Sequence, residues 1–442
     1  MKMKPRKLIA WTAIYIVLAL LPLLITWGMR AKYPLESRSM SFEIGVACGL
    51  LGLGVLGLQC IVSGRHAWFA EGAGQDNLLQ FHRQMGLFAW LLILAHPILI
   101  FLGDSTLIDY LSVSNEPLRA LGLYFMLAAV TVLIVTSLWR VQLGLQYEWW
   151  RIIHSVLAFT LILAALSHAL LVNYFTGNPL VQGSLILFVT LCLGFVLETR
   201  IFRPLRMRRR RWIIADNQTV PGPSSQLTLS AVGHNGLAFK PGQYAWFTVG
   251  NSPFSLQQHP FSLHSDPNNP EWLQITAQHQ GDFTNSLSEE RRGTPVWIEG
   301  PYGVLTRDPE TTQPAIFFAG GIGITPILSI LKACKSENNF ARMTLIYANI
   351  DRDSILFLDE INDLERSLNL EVIHVLENPP TGWDGETGRI DEEFMNRHFD
   401  TWPKGSDYYI CGPTPLMDVV EKALRSRGIP IKNIHSERFE FV

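Results

Sequence analysis

FHRQMGLFAWLLILAHPILIF, residues 81–101, is an apolar run with a histidine near each end, His82 and His96. A second run, HSVLAFTLILAALSH, residues 154–168, begins at His154 and closes at His168. In both runs the two histidines are 14 residues apart. Fourteen residues rise about 21 Å along an α-helix and turn about 40° short of four full turns, so each pair sits on one helix face at two depths. One such histidine would be ordinary polar glue between helices. Four of them, matched in spacing inside hydrocarbon, are costly and point to function.

Around these two runs the chain is apolar over 8–28, 44–62, 84–102, 120–138, 152–172 and 183–198. Each segment is close to the ~20 residues that a helix needs to cross ~30 Å of hydrocarbon. Lys2, Lys4, Arg6 and Lys7 precede the first, whose apolar run exceeds that of a secretory leader and lacks a small-residue cleavage site. It is therefore expected to be a retained span. With the N-terminus inside, the inner flanks collect 15 Lys and Arg and the outer flanks only Arg30, Lys32, Arg38 and Arg119. That imbalance predicts a multi-pass protein of the cytoplasmic membrane, with its N-terminus and second half in the cytoplasm.

In this arrangement the third and fifth spans run in the same direction. His82 then faces His154 near the cytoplasmic surface, and His96 faces His168 near the other. Two planar haems, each held by two imidazoles from facing helices, fit that lattice, so these four residues are the expected metal ligands. Arg83 and Arg151 adjoin the lower pair, as partners of haem propionates or as ordinary positive-inside residues. Phe159 lies at the intermediate level, either as packing or as a step for an electron.

The whole-chain charge of −2 hides a division. Residues 1–211 hold 19 Lys and Arg against 9 Asp and Glu, and residues 212–442 hold 17 against 29. A basic-edged apolar module thus precedes an acidic, water-soluble one, and the basic excess suits the lipid bilayer rather than nucleic acid. The five cysteines form no C-x-x-C pair, which argues against a disulfide framework and against zinc or iron–sulfur ligation.

From Trp212 the pattern becomes short alternating strands, at Leu227–Leu229, Tyr244–Val249, Leu273–Thr276 and Val296–Ile298, with Pro-Gly at 241–242 and Gly-Pro at 300–301. After about 313, strands alternate with helices. Ala315–Ala319 leads into a helix from Thr325, Met343–Ala348 into one near 354–367, and Tyr408–Cys411 into one at 415–427. The expected fold is a membrane α-helical bundle of six transmembrane helices, then a small antiparallel β-barrel, then a parallel, doubly wound α/β unit.

Six spans with paired histidines on the third and fifth resemble the ferric reductase and NADPH oxidase superfamily. The second half is similar to ferredoxin-NADP reductases. The resemblance covers nearly the whole chain and implies three domains. These are a six-helix ferric-reductase-like transmembrane domain with two haem b groups at 1–205, an FAD-binding β-barrel domain at 212–310 and an NAD(P)H-binding α/β domain at 313–442.

Within the second half the resemblance assigns roles to particular residues. Tyr244, in Pro241-Gly242-Gln243-Tyr244, and the segment His259-Pro260-Phe261-Ser262 match the family's FAD-binding strands, where the HPF(S/T) segment lies along the flavin. Gly281-Asp282-Phe283-Thr284 looks like its pyrophosphate turn, with Gly281 and Thr284 as contacts. Here the chain departs from the family, which has Lys or Arg three residues before that glycine. This chain has Gln278, which removes one charge-assisted contact to FAD. Ala319-Gly320-Gly321-Ile322-Gly323-Ile324-Thr325-Pro326 resembles the nicotinamide pyrophosphate loop. Its glycines permit close backbone approach, and the proline suits a first helical turn. Gly320, Gly321, Gly323, Thr325 and Pro326 are its expected contacts. Cys411-Gly412-Pro413 matches the family's CGP motif, in which the cysteine lies beside the nicotinamide ring. The terminal ERFEFV resembles the aromatic that covers the flavin, with Phe439 in that role and Phe441 as the competing position.

What these parts imply is an NAD(P)H oxidase or ferric-reductase-like oxidoreductase. NAD(P)H is the electron donor, and FAD splits its electron pair for haem iron. The acceptor is a small molecule on the far side, dioxygen giving superoxide, or a ferric or cupric chelate. The alternative of a different class is an electron-relay subunit serving a periplasmic redox partner protein. Only Arg352, between Asp351 and Asp353, stands where a 2′-phosphate would need cations, so the sequence is compatible with NADH and with NADPH.

Overall fold

The computed structural model describes residues 5–32, 38–66 and 74–438. It forms two compact units. One consists of the helices up to Phe202; the other runs from Arg203 onward and takes in Gln75 and Asp76.

The first unit holds six long helices: α1 (Pro5–Lys32), α2 (Met40–Val62), α3 (Gln75–Gly103), α4 (Pro117–Leu138), α5 (Tyr147–Val172) and α6 (Pro179–Leu197). All six contain stretches long and apolar enough to cross a membrane. The chain is a multi-pass membrane protein. Pro117 and Pro179 start their helices where a missing N–H costs nothing. Asn173 closes α5 in the left-handed conformation (φ 59°). The helices begin earlier than the hydropathy suggests, α3 at Gln75 rather than near 84. Polar first turns lie outside hydrocarbon yet are still helical.

Small residues set the spacing of α2 and α3. A Cβ at Gly45 would stand 3.0 Å from the backbone nitrogen of Ile100, and one at Gly52 would stand 3.4 Å from Ile93. Such residues let membrane helices approach closely. Elsewhere the interior is filled by Leu53, Ile162, Leu185 and Val189 in one cluster and by Ala129, Val130, Leu133 and Leu161 in another. Large apolar side chains such as Leu118, Leu171 and Leu180 stay exposed, as lipid-facing positions must.

The second unit opens with an antiparallel sheet in the order β4-β3-β6-β1-β2-β5. Its strands are β1 (Arg211–Val220), β2 (Ser224–Val232), β3 (Tyr244–Val249), β4 (His259–Ser262), β5 (Trp272–Gln278) and β6 (Pro295–Tyr302). The backbone N–H of His264 donates to the carbonyl of Gln274 (3.0 Å), which joins the two edges into a barrel. Its core is Trp212, Ile214, Leu227, Leu229, Phe247, Leu273 and Ile275.

A parallel sheet follows, in the order β10-β9-β8-β7-β11-β12. Its strands are β7 (Ala315–Gly320), β8 (Met343–Asn349), β9 (Leu370–Leu376), β10 (Glu386–Thr387), β11 (Asp407–Cys411) and β12 (Ile434–Ser436). Both faces are covered. Ala315, Phe317 and Ala319 pack with the helices Ile324–Ser336 and Leu358–Ser367, while Ile316 and Phe318 pack with Glu392–His398 and Thr414–Ser426. The chain steps from β7 outward to β10, then returns to place β11 on the other side of β7. That reversal opens a crevice at the carboxyl ends of β7 and β11.

Candidate functional site

The rings of His82 and His154 lie with centroids 6.3 Å apart, and those of His96 and His168 with centroids 6.1 Å apart. The pairing is the one expected from spacing and direction. A metal–imidazole bond is about 2 Å and the ring centroid lies about 1 Å behind the nitrogen, so two imidazoles on one metal have centroids about 6 Å apart. Both pairs therefore have the separation that a single metal between them requires. Among the described residues no group of three or more His, Cys, Asp or Glu gathers to hold a metal ion. Two opposed imidazoles with nothing else suit a metal whose other positions are filled by a porphyrin.

Hydrogen bonds behind the rings add to that fit. His96 Nδ1 lies 2.7 Å from the carbonyl oxygen of Gly45. A carbonyl only accepts, so Nδ1 carries the proton and Nε2 keeps its lone pair. Ser137 Oγ donates to the Leu133 carbonyl (2.6 Å) and lies 3.3 Å from His154 Nδ1. Its one proton is used on Leu133, so it accepts from His154. Phe159 is exposed on α5. The buried residues between the histidine levels on that helix are Leu161, Ile162 and Leu166, of which Leu161 packs with Trp90 and Leu157. Phe159 falls outside because it is five residues from His154, about 140° off the ligand face, whereas Leu161 is seven residues away. Arg83 is exposed and Arg151 half-buried.

In the barrel, β3 and β4 pair Tyr244 with Ser262, Ala245 with Phe261, Trp246 with Pro260 and Phe247 with His259. Period-two alternation divides the expected flavin segment between faces. Tyr244 and Ser262 share one face, with Trp246 and Pro260. Phe261 turns to the barrel core, and His259 stacks on Phe283 with ring centroids 3.9 Å apart. The Tyr244 hydroxyl donates to Gln75 Oε1 (2.7 Å), which also accepts from Trp246 Nε1 (3.3 Å). Beside this set, Arg203 donates to Glu299 Oε1 (2.6 Å), as does the Tyr302 hydroxyl (2.7 Å).

Gly281 has extended backbone (φ −168°), so its conformation does not call for glycine, but the space before it is open. The N–H groups of Gln280 and Gly281 already donate to Thr284 Oγ1 at 3.0 and 3.1 Å. Gln278 accepts from Gln280, and His279 bonds Ser225 at 2.8 Å rather than facing this turn alone.

The glycines of the two crevice loops are needed for contact. A Cβ at Gly320 would stand 2.8 Å from Pro413 Cδ, and one at Gly412 would stand 3.0 Å from the nitrogen of Gly320. A Cβ at Gly323 would collide with the carbonyl of Cys411. Gly321 is left-handed (φ +50°), with open space before it. Thr325 Oγ1 donates back to the Ile322 carbonyl (2.9 Å), and Pro326 is buried in the first turn of its helix. Loop and helix start thus present backbone to the crevice with no side chain in the way.

Cys411 is buried at the end of β11, in register with Ala319. Burial, and then the nearby Glu437, push its thiol well above the usual range, so it stays protonated. Glu437 was not singled out from the sequence. Its carboxyl is fully buried, accepts from the backbone N–H groups of Val304 (3.3 Å) and Leu305 (3.4 Å), and is pushed up to about 8, chiefly by burial. An acidic residue just after a three-residue strand carries no local pattern that foretells burial. Phe439 and Phe441 lie outside the described residues.

Comparison with known proteins accords with this layout. Residues 48–165 match the family described as ferric reductase like transmembrane component, 217–306 an FAD-binding domain, and 317–422 an oxidoreductase NAD-binding domain. NADH-cytochrome b5 reductase 1 of Aspergillus terreus is 30% identical over 180 residues, covering 38% of this chain and 61% of that protein. The same-named protein of Ajellomyces capsulatus is 32% identical over 163 residues, covering 35% and 53%. The chain thus spans between half and two thirds of the length of these relatives. Among solved structures, the cytochrome b5 reductase domain of Ulva prolifera nitrate reductase is 17% identical, covers 52% of this chain and 97% of that one, and has a TM-score of 0.45. Ferric-reductase-like membrane helices, an FAD-binding barrel and an NAD-binding sheet, in that order along one chain, are the architecture of the ferric reductase and NADPH oxidase family.

Proposed function

We propose that the chain carries electrons from cytoplasmic NADH, through FAD and two bis-histidine haems, across the membrane to a small acceptor, dioxygen giving superoxide. The observation that carries this reading is the pair of centroid separations, 6.3 and 6.1 Å, at two levels of the same two helices. In it, residues 1–205 form the haem-bearing domain, 212–310 the flavin domain and 313–442 the nucleotide domain.

His82 with His154, and His96 with His168, would hold the haems. Tyr244, Pro260 and Ser262 would line the flavin on their shared face, with Gly281 and Thr284 at its pyrophosphate turn. The crevice backbone at Gly320, Gly321, Gly323, Gly412 and Pro413 would take the nicotinamide dinucleotide, with Cys411 beneath its reactive end and Phe439 over the flavin. When bound, FAD converts a two-electron hydride donor into the single-electron supply that haem iron accepts.

The choice of NADH rests on the loop after β8. Asp351 is fixed by Ser354, whose N–H (2.9 Å) and hydroxyl (2.7 Å) donate to its carboxylate, and Asp353 follows Arg352. A 2′-phosphate would meet two carboxylates around one cation, and relatives in this half of the chain are named as NADH enzymes. His82 with His154 and His96 with His168 would take the positions that the protein offers each metal, and the iron would supply single electrons to an acceptor by outer-sphere contact. A ferric chelate is the second reading, favoured by the family description matched at 48–165.

Assay of the purified protein with NADH and FAD separates them. Superoxide production predicts cytochrome c reduction that superoxide dismutase abolishes. Undiminished ferric-chelate reduction without oxygen, together with dismutase-insensitive cytochrome c reduction, would replace dioxygen with the chelate.

A further inference from the structure

Each histidine pair has one ring whose Nδ1 lies against a group on a neighbouring helix, which leaves Nε2 as the nitrogen with a free lone pair. For His96 the group is the Gly45 carbonyl on α2, 2.7 Å from Nδ1. For His154 it is Ser137 Oγ on α4, 3.3 Å from Nδ1. The first contact exists only because α2 lies against α3 without side chains between them. A Cβ at Gly49, one turn from Gly45, would stand 2.7 Å from His96 Nδ1 and 2.9 Å from its Cε1. Real Cβ atoms do not approach so closely, so a methyl group there must push the ring off the Gly45 carbonyl. Gly52, on the same stripe, has only ordinary contact, 3.4 Å to Ile93.

We propose that Gly49 and Ser137 are positioning residues for the two metal sites, Gly49 by leaving room for the His96 ring beneath the Gly45 carbonyl and Ser137 by accepting the Nδ1 proton of His154. This rests on the bis-histidine haem reading given above. A hydrogen bond to the far nitrogen of a metal-bound imidazole fixes its tautomer and raises its basicity. The His96 bond is short and goes to a carbonyl; the His154 bond is long and goes to a hydroxyl already engaged with Leu133. The two sites are therefore built unequally, with the stronger donor ligand in the His96–His168 pair. That pair holds oxidised iron the more firmly and is the one of lower midpoint potential.

The test uses the full-length purified protein, with haem content, low-temperature electron paramagnetic resonance and redox titration as readouts. The variants are Gly49→Ala, Gly52→Ala, Ser137→Ala and Ser137→Thr, alongside His96→Leu and His154→Leu to assign each signal. Wild type is expected to show two low-spin haem signals of different midpoint potential. Gly49→Ala shifts or removes only the signal that His96→Leu removes, while Gly52→Ala leaves both intact. Ser137→Ala moves only the signal that His154→Leu removes, and Ser137→Thr, which keeps the hydroxyl, restores it. Haem affinity at the altered site falls about 10- to 100-fold. Both signals unchanged in Gly49→Ala and in Ser137→Ala would overturn the proposal, as would equal disturbance of both signals by Gly49→Ala and Gly52→Ala. If Gly49→Ala does not assemble, Ser137→Ala decides alone, and an unmoved His154 signal overturns the proposal. Wild-type protein without haem would instead remove the underlying reading.

Discussion

Gly320 and Pro413 close on each other so tightly that a single added Cβ on the glycine would stand 2.8 Å from the proline Cδ. They end neighbouring strands, β7 and β11, on either side of the point where strand order reverses. Contact between them brings the two loops to one crevice. Gly320→Ala must therefore separate loops that are expected to grip one dinucleotide. The expected result is an about 10- to 100-fold fall in kcat/KM for NADH, with haem content unchanged. Steady-state kinetics with a soluble dye as acceptor checks it.

Glu437 supplies a pH dependence. A buried carboxyl pushed up to about 8 binds a proton in the folded state that it has lost, when unfolded, above its ordinary value of 4.5. Between those two values the folded state holds more protons, so stability falls as pH rises from about 4.5 to about 8 and levels off above. Glu437→Gln keeps the size and removes the charge. Its Tm is expected to stay flat between pH 6 and 9 relative to the wild-type curve, by roughly the span over which such a group titrates. Parallel melting curves for wild type and variant would expose a wrong assignment.

Arg203 and Glu299 form an ion pair at 2.6 Å, with side chains only 14% and 8% exposed. Removing the cation alone leaves a buried carboxylate without its guanidinium, at a cost of roughly 3–5 kcal/mol. Arg203→Ala should lower the melting temperature of the flavin-binding portion, read by release of flavin fluorescence. Replacing both residues with apolar ones of similar volume should recover much of the loss, since the double change strands no charge.

Coenzyme choice provides a fourth prediction. NADH is expected to exceed NADPH in kcat/KM by about tenfold or more, because like charges set against each other cost binding energy. Asp353→Arg should narrow that ratio mainly through KM for NADPH. An unaltered ratio would place the 2′-position elsewhere.

Much of this was legible beforehand because it depends on periodicity. A spacing of 14 residues on two helices running the same way needs no tertiary information to predict which histidines meet. Strands such as Ala315–Gly320, buried on both faces, also announce themselves as continuous apolar runs. What escaped was set by contacts between distant segments. Leu370–Leu376 is interrupted by Glu371 and His374, and Ile434–Ser436 is three residues long, so neither stood out as a strand of the parallel sheet. The flavin segment reads as one motif in sequence, yet pleating sends Phe261 to the barrel core and Ser262 to the opposite face. Glu437 and Gln75 owe their importance wholly to what packs over them.

The most direct test seals the protein into liposomes with its nucleotide domain outward, adds NADH outside, and follows reduction of cytochrome c or a ferric chelate trapped within. The account predicts trapped-acceptor reduction in the wild type. It also predicts loss of that reduction in each of His82→Leu, His96→Leu, His154→Leu and His168→Leu, while reduction of an external dye by NADH persists. Trapped acceptor reduced at the wild-type rate in all four variants would contradict it.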